Sequence, residues 1–205
     1  MNNYHALIFD LGNVIFNISF DNMFAYWAQV TGFNAVEIKK KFAFNGMYCK
    51  FERGEIDPGL YRKYVLATLG FQMSEVEFNN GWNNIYLNIV PGIENLLQDL
   101  ESKYRLFILT NTNILHAKKW KVKYSSVLSN FEKVFCSYEI GARKPEPRVY
   151  EAVLNYMKLE PISVLFFDDN PDNVKSASEV GIDTILVEST SQMIMELSKL
   201  KENGI

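Results

Sequence analysis

Four short polar groups stand where this chain could do chemistry: Asp10, Thr110-Asn111, Lys144 and the pair Asp168-Asp169. Asp10 follows the apolar run Ala6 to Phe9, and the acidic pair follows Val164 to Phe167. Alone, Asp10 ahead of Leu11-Gly12 is as well explained as a turn former. If the two apolar runs are neighbouring strands, however, three carboxylates converge, and like charges that close repel unless they are protonated or bind a cation. A bound cation is the economical explanation. Oxygen ligands with no His or Cys cluster at hand select a hard ion, and a sparse carboxylate set completed by water and phosphate favours Mg²⁺ over Ca²⁺. Thr110-Asn111-Thr112-Asn113 lies between an apolar run and a helical segment, where a hydroxyl and free backbone amides can hold phosphate oxygens. Helix capping suits the same residues and is compatible with that role. Lys144, in Gly141-Ala142-Arg143-Lys144-Pro145, precedes a helical segment, and taken alone reads as an ordinary solvated lysine.

These groups need strands to carry them. Apolar runs at Ala6 to Phe9, Leu106 to Leu109, Lys133 to Phe135, Val164 to Phe167 and Thr184 to Val187 each end in polar residues. Between them, Ile114 to Ser126, Pro147 to Lys158 and Asp172 to Glu179 have the length and periodicity of helices. Strands alternating with helices predict right-handed crossovers and an α/β fold with a parallel sheet covered on both faces. In such a sheet ligands bind beyond the carboxyl ends of the strands. From about Asn17 to Val90 no convincing buried strand is visible, only amphipathic helices broken at Gly32, Gly46, Gly54 and Gly70. The aromatic residues dense in this insertion, such as Phe24, Trp27, Tyr61 and Trp82, read as a small helical core rather than a ligand cage.

The 205 residues, 48% of them hydrophobic, suffice for one large domain plus an insertion. A formal charge of -3 supplies no basic field for a nucleic acid. Cys49 and Cys136 show neither metal-ligand spacing nor a disulfide framework, and suit a reducing compartment. No stretch has the length of a membrane span or the build of a secretory signal, so the expected location is the cytoplasm.

Taken in order, Phe9-Asp10-Leu11-Gly12-Asn13-Val14, Leu109-Thr110-Asn111, Arg143-Lys144-Pro145 and Phe167-Asp168-Asp169-Asn170 resemble the four motifs of the haloacid-dehalogenase-like (HAD) superfamily. The chain is similar to the phosphatases of that superfamily over essentially its whole length. The resemblance implies a Rossmann-like catalytic core, residues 1–16 and 91–205, with an inserted α-helical cap, residues 17–90. It implies that Asp10 attacks phosphorus, that Thr110 and the Asn111 amide bind the phosphoryl oxygens, and that Lys144 neutralises charge and orients Asp10. Mg²⁺ would be held by Asp10, Asp168, Asp169 and the backbone carbonyl of Gly12. The implied partner is a small phosphorylated metabolite. This division of labour suits phosphoryl transfer, which depends on positioning and on stabilising charge spread over oxygens. The covalent step divides it into formation and hydrolysis of an aspartyl-phosphate.

One position departs from the pattern. Most phosphatases of the family carry a second Asp two residues after the nucleophile, as general acid and base, and here that residue is Gly12. Such help is worth about 10²- to 10⁴-fold. The Phe-Asp-Leu-Gly-Asn-Val form, with Thr110-Asn111-Thr112-Asn113 followed by His116, resembles the bacterial α-D-glucose-1-phosphate phosphatase branch. An anomeric leaving group is less basic than an ordinary sugar alkoxide, which makes a sugar 1-phosphate the first candidate. His116 is a candidate proton donor, set against a packing role. Glu52-Arg53-Gly54-Glu55 is a candidate specificity loop, set against a solvated helix end. Two rival functions fit Gly12: a 2-haloacid dehalogenase, which leaves the acidic pair unexplained, and a phosphate-binding or regulatory protein without useful turnover.

Overall fold

The computed structural model of the chain describes residues 4–203. The strands are β1 (Ala6–Phe9), β2 (Phe16–Ile18), β3 (Tyr86–Ile89), β4 (Arg105–Thr110), β5 (Lys133–Cys136), β6 (Val164–Asp168) and β7 (Asp183–Leu186). Before β3 come the helices α1 (Phe20–Thr31), α2 (Ala35–Lys41), α3 (Gly46–Glu52), α4 (Pro58–Leu69) and α5 (Glu75–Trp82). After it come α6 (Ile93–Glu101), α7 (Ile114–Lys123), α8 (Ser125–Leu128), α9 (Ser137–Ile140), α10 (Pro147–Met157), α11 (Pro171–Glu179) and α12 (Thr190–Asn203).

The main sheet has five strands in the order β5-β4-β1-β6-β7, and every pairing in it is parallel. It has the topology expected of alternating strands and helices. All four residues of β1 are buried because the strand is central and covered on both faces. Leu7 and Phe9 enter one core with α6, α7 and α12, while Ala6 and Ile8, pointing the other way, enter a second with α10 and α11. Phe9 pairs with Ile108 on one side and with Phe167 on the other. Asp10 therefore emerges between the tips of β4 and β6, where the chain begins to wind outward in both directions.

Helices α1 to α5 build their own core, in which Trp27, Phe51, Tyr61, Phe78 and Trp82 are buried. Their boundaries follow local chemistry. Gly32 and Gly70 end α1 and α4 at positive φ. Ser74 and Glu77 close a reciprocal capping box at the start of α5. The expectation of no strand between Asn17 and Val90 is corrected: β2 and β3 form a two-stranded antiparallel ribbon at the base of the helical insertion. With three and four residues, mostly half-buried, these strands lack the apolar run by which a central strand is read. The single helix expected over Ile114 to Ser126 is divided between α7 and α8 at Tyr124. Among the described residues no helix is long and apolar enough to cross a membrane.

Candidate active site

A cavity of about 300 Å³ opens over the tips of β1, β4 and β6, lined by Asp10, Gly12, Thr110, Asn111, Lys144 and Asp169 from the sheet side. From the insertion and the ribbon, Ile18, Phe20, Phe44, Tyr48, Glu52 and Tyr86 face the same space. Of the expected site residues only Asp168 lies behind the wall, fully buried.

Lys144 joins the tips. Its Nζ donates to Asp10 Oδ1 and to Asp168 Oδ2, 2.6 Å each, and the side chain is 1% exposed. Its sequence neighbourhood alone reads as a solvated lysine, whereas the structure buries it against Asp10, the partner that the family resemblance implies. The loop is clamped by Asn111, whose Nδ2 donates to the Lys144 carbonyl and whose Oδ1 accepts from the Lys144 amide, both at 2.8 Å. Asn111 thus positions Lys144 as well as bordering the cavity.

Asp168 is spoken for on both oxygens. Oδ1 accepts from the Asn170 amide and Asn173 Nδ2, and Oδ2 from Lys144 and the same Asn173 Nδ2. This departs from the expected metal ligand and fits an anchor for Lys144. Asp169 lies at the cavity, with Asn13 Nδ2 donating to its Oδ2 at 3.1 Å. Asn13 holds a left-handed backbone (φ 59°), a conformation that Asn tolerates better than most residues. Its own Oδ1 accepts from the Ile18 amide, tying the first turn to the ribbon.

Three carboxylates here share one ammonium. Burial raises the Asp10 carboxyl to about 7, Asp168 and Asp169 push the same way, and Lys144 opposes them. Asp169 is also raised, by burial and then against the Asn13 hydrogen bond. Burial pulls Lys144 down, but Asp10 and Asp168 outweigh it and hold the ammonium above its ordinary value. An excess of negative charge at hard oxygens is the chemistry of a divalent-cation site. Among the described residues no three His, Cys, Asp or Glu side chains form a complete cage. Asp10, Gly12 and Asp169 line the cavity, and a sparse oxygen set of this kind suits Mg²⁺, which keeps water and substrate oxygens among its ligands.

Gly12 offers no proton donor, and the structure gives His116 the packing role rather than that of an acid. A Cβ on Gly12 would stand 3.0 Å from Ile18 Cδ1, so Ile18 crowds the place where a side chain at residue 12 would begin. His116 lines the cavity, but is packed flat on Trp82 with ring centroids 4.7 Å apart. Nδ1 lies 3.3 Å from Asn83 Oδ1. Burial lowers its pKa to about 3, so the ring is neutral at ordinary pH and a poor acid.

Sequence reasoning missed Asn13, Asn173 and the pair of Glu52 with Arg143. Asn173 lies one helical turn past the strand tip, and a buried amide there is the signal that marks it. Arg143 Nε donates to Glu52 Oε2 at 2.7 Å across the boundary between insertion and core. Arg53, the residue singled out in the candidate loop, turns instead to Glu55 and Glu146, and is not among the residues lining the cavity.

The family described as haloacid dehalogenase-like hydrolase matches residues 4–181. A D-ribitol-5-phosphate phosphatase of Bacteroides thetaiotaomicron is 23% identical over 198 residues, spanning 94% of this chain and 96% of that one. Flavin mononucleotide hydrolase 1 of Arabidopsis thaliana is 32% identical over 162 residues, 77% of this chain and 63% of its own length. Among solved structures, a HAD family enzyme of Bacteroides thetaiotaomicron in complex with magnesium and inorganic phosphate superposes with a TM-score of 0.80 at 30% identity. It covers 91% of this chain and 95% of that one.

Proposed function

The chain belongs to the haloacid dehalogenase-like hydrolase family, and from that premise we propose that it is a Mg²⁺-dependent phosphatase whose nucleophile is Asp10. The observation that carries the reading is the buried Lys144 ammonium bound to both Asp10 and Asp168 at the floor of the cavity. Lys144 occupies Asp10 Oδ1, leaving Oδ2 to attack phosphorus. The Asp10 oxygen bonds to phosphorus as the ester oxygen departs with the electron pair, and water then hydrolyses the aspartyl-phosphate. Thr110 and the Asn111 amide hold the phosphoryl oxygens. Asp168, braced by Asn173, keeps Lys144 aimed at Asp10. Asp10, Asp169 and the Gly12 carbonyl would hold Mg²⁺, which would supply charge that stabilises the phosphoryl oxygens. The magnesium and phosphate held by the similar enzyme support this assignment.

With Gly12 lacking a side chain and His116 neutral, neither residue readily protonates the leaving oxygen. That favours esters whose leaving group departs without help, and keeps a sugar 1-phosphate as the first substrate to test. The two relatives add a polyol 5-phosphate and flavin mononucleotide to the panel. Phosphate release from the panel is measured for wild type and Asp10→Asn, with Mg²⁺ or with chelator. Metal-dependent release that the substitution abolishes is expected. Release that survives in Asp10→Asn overturns the assignment of the nucleophile. No release from any ester, with phosphate still binding, makes the protein a binding module.

A further inference from the structure

We propose that Arg143 selects the leaving group, admitting oxygen-rich phosphomonoesters such as sugar and polyol phosphates through its free guanidinium nitrogens. This deepens the phosphatase reading above and rests on it.

Arg143 sits beside Lys144 in sequence and lines the same cavity, yet it points to different partners. Its Nε is taken by Glu52. Among the described residues its two terminal nitrogens make no hydrogen bond, and neither is a sealed, orphaned atom. A guanidinium fixed at Nε and open at both ends is a planar fork of donors waiting for oxygen acceptors.

Glu52 makes the fork rigid. Its side chain is 4% exposed, on α3 of the insertion, one helical turn after Tyr48 on the same helix. Burying this ion pair is poor stabilisation, since desolvation of two charges commonly cancels their attraction. Its position at the cavity accounts better for it than stability does. The phosphoryl end is already served by Lys144, Thr110 and Asn111, so Arg143 is free for the remainder of the ester. Ile18, Phe20, Phe44 and Tyr86 line the same cavity. Phe20 and Phe44 meet edge to face at 4.9 Å. A cavity that combines apolar and aromatic side chains with a donor fork suits a molecule with C–H faces and a hydroxylated edge.

The test compares kcat/KM for the sugar and polyol phosphates of the panel with that for phenyl phosphate, which carries no hydroxyl. In Arg143→Leu the ratio should fall roughly 10- to 100-fold, as expected for loss of hydrogen bonds from a charged donor. Arg143→Lys keeps the charge without the fork and should lower the ratio less. Glu52→Gln loosens the fork and should lower it in the same direction. Equal losses on both kinds of ester would mean that Arg143 serves the shared phosphoryl group, and would overturn the proposal. So would an unchanged ratio in Arg143→Lys and Glu52→Gln, which remain decisive if Arg143→Leu does not fold. Failure of the wild type to release phosphate from any ester removes the phosphatase reading itself. Release without a change in ratio removes this inference alone.

Discussion

Replacing Asp10 by Asn should stabilise the metal-free protein, and by more at high pH than at low. In the fold the Asp10 carboxyl titrates at about 7 instead of 3.8, mainly through burial and despite Lys144. A carboxyl raised in the folded state stays protonated there while it ionises in the unfolded chain, so the folded state loses ground as pH rises from 3.8 to 7. A tenfold difference in proton affinity between the two states is worth about 1.4 kcal/mol. Integrating between pH 5 and pH 8 gives a loss of about 2–3 kcal/mol for wild type, a large share of a typical domain's ~5–15 kcal/mol. Asn cannot ionise and should escape that loss. The assay is urea unfolding of both proteins in chelator at the two pH values. The gap in favour of Asp10→Asn should widen by that amount at pH 8, then close or reverse for wild type when Mg²⁺ is added. A gap that is the same at both pH values refutes the electrostatic account of this site.

Gly12→Asp should raise kcat/KM for alkyl phosphates relative to phenyl phosphate, because only a basic leaving group needs a proton donor. The close approach to Ile18 Cδ1 should limit the gain to about 10-fold of the 10²–10⁴ such acids provide, and Ile18→Val should enlarge it. An equal effect on both esters refutes this reading of Gly12. His116→Phe should flatten acid denaturation. Burial drops the imidazole from 6.5 to about 3, so wild-type stability falls as pH drops below 6.5, by about 3 kcal/mol at pH 4. Phe carries no such loss while keeping the stack on Trp82. Identical pH slopes in unfolding experiments would show that the ring is charged in the fold.

The strand tips were legible because apolar runs that stop at polar residues are a local pattern, and the parallel order of the sheet followed from alternation with helices. Lys144 was not. What turns it from a surface lysine into a buried one is a contact with Asp10 across 134 positions of sequence and an anchor on Asp168, and no local pattern encodes either. Asp168 and Asp169 were equally opaque to each other's roles. Adjacent residues at a strand end point to opposite sides, so one is taken into the Lys144 and Asn173 network and the other faces the cavity. The ribbon escaped notice because strands so short, mostly half-buried, carry little periodicity. The pairing of Glu52 with Arg143 joins insertion to core over 91 positions, and becomes visible only when α3 is docked.

The insertion is held to the core in two chemically different ways, and the difference predicts where the cavity opens. On one side Trp82 is buried in the insertion's own aromatic core, stacks on His116 and donates through Nε1 to Asn113 Oδ1, while Asn83 pairs with His116. Parting those surfaces exposes apolar area and strands buried polar atoms, a penalty that salt does not reduce. On the other side the contacts are ion pairs, Arg53 with Glu146, 19% and 29% exposed, and Arg143 with Glu52, 22% and 4% exposed. The Arg53 pair, open to solvent at both ends, contributes modestly and weakens with ionic strength, and the buried Glu52 end of the other is screened less. The insertion should therefore pivot about α5 and lift at α3. Hydrogen exchange without substrate should find the α3 amides less protected than those of α5. Raising salt from about 0.05 to about 1 M, a change that shortens the screening length several-fold, should speed exchange in α3 and leave α5 unchanged. Equal acceleration in both helices would mean that the insertion loosens as a whole, and that the aromatic side is no hinge.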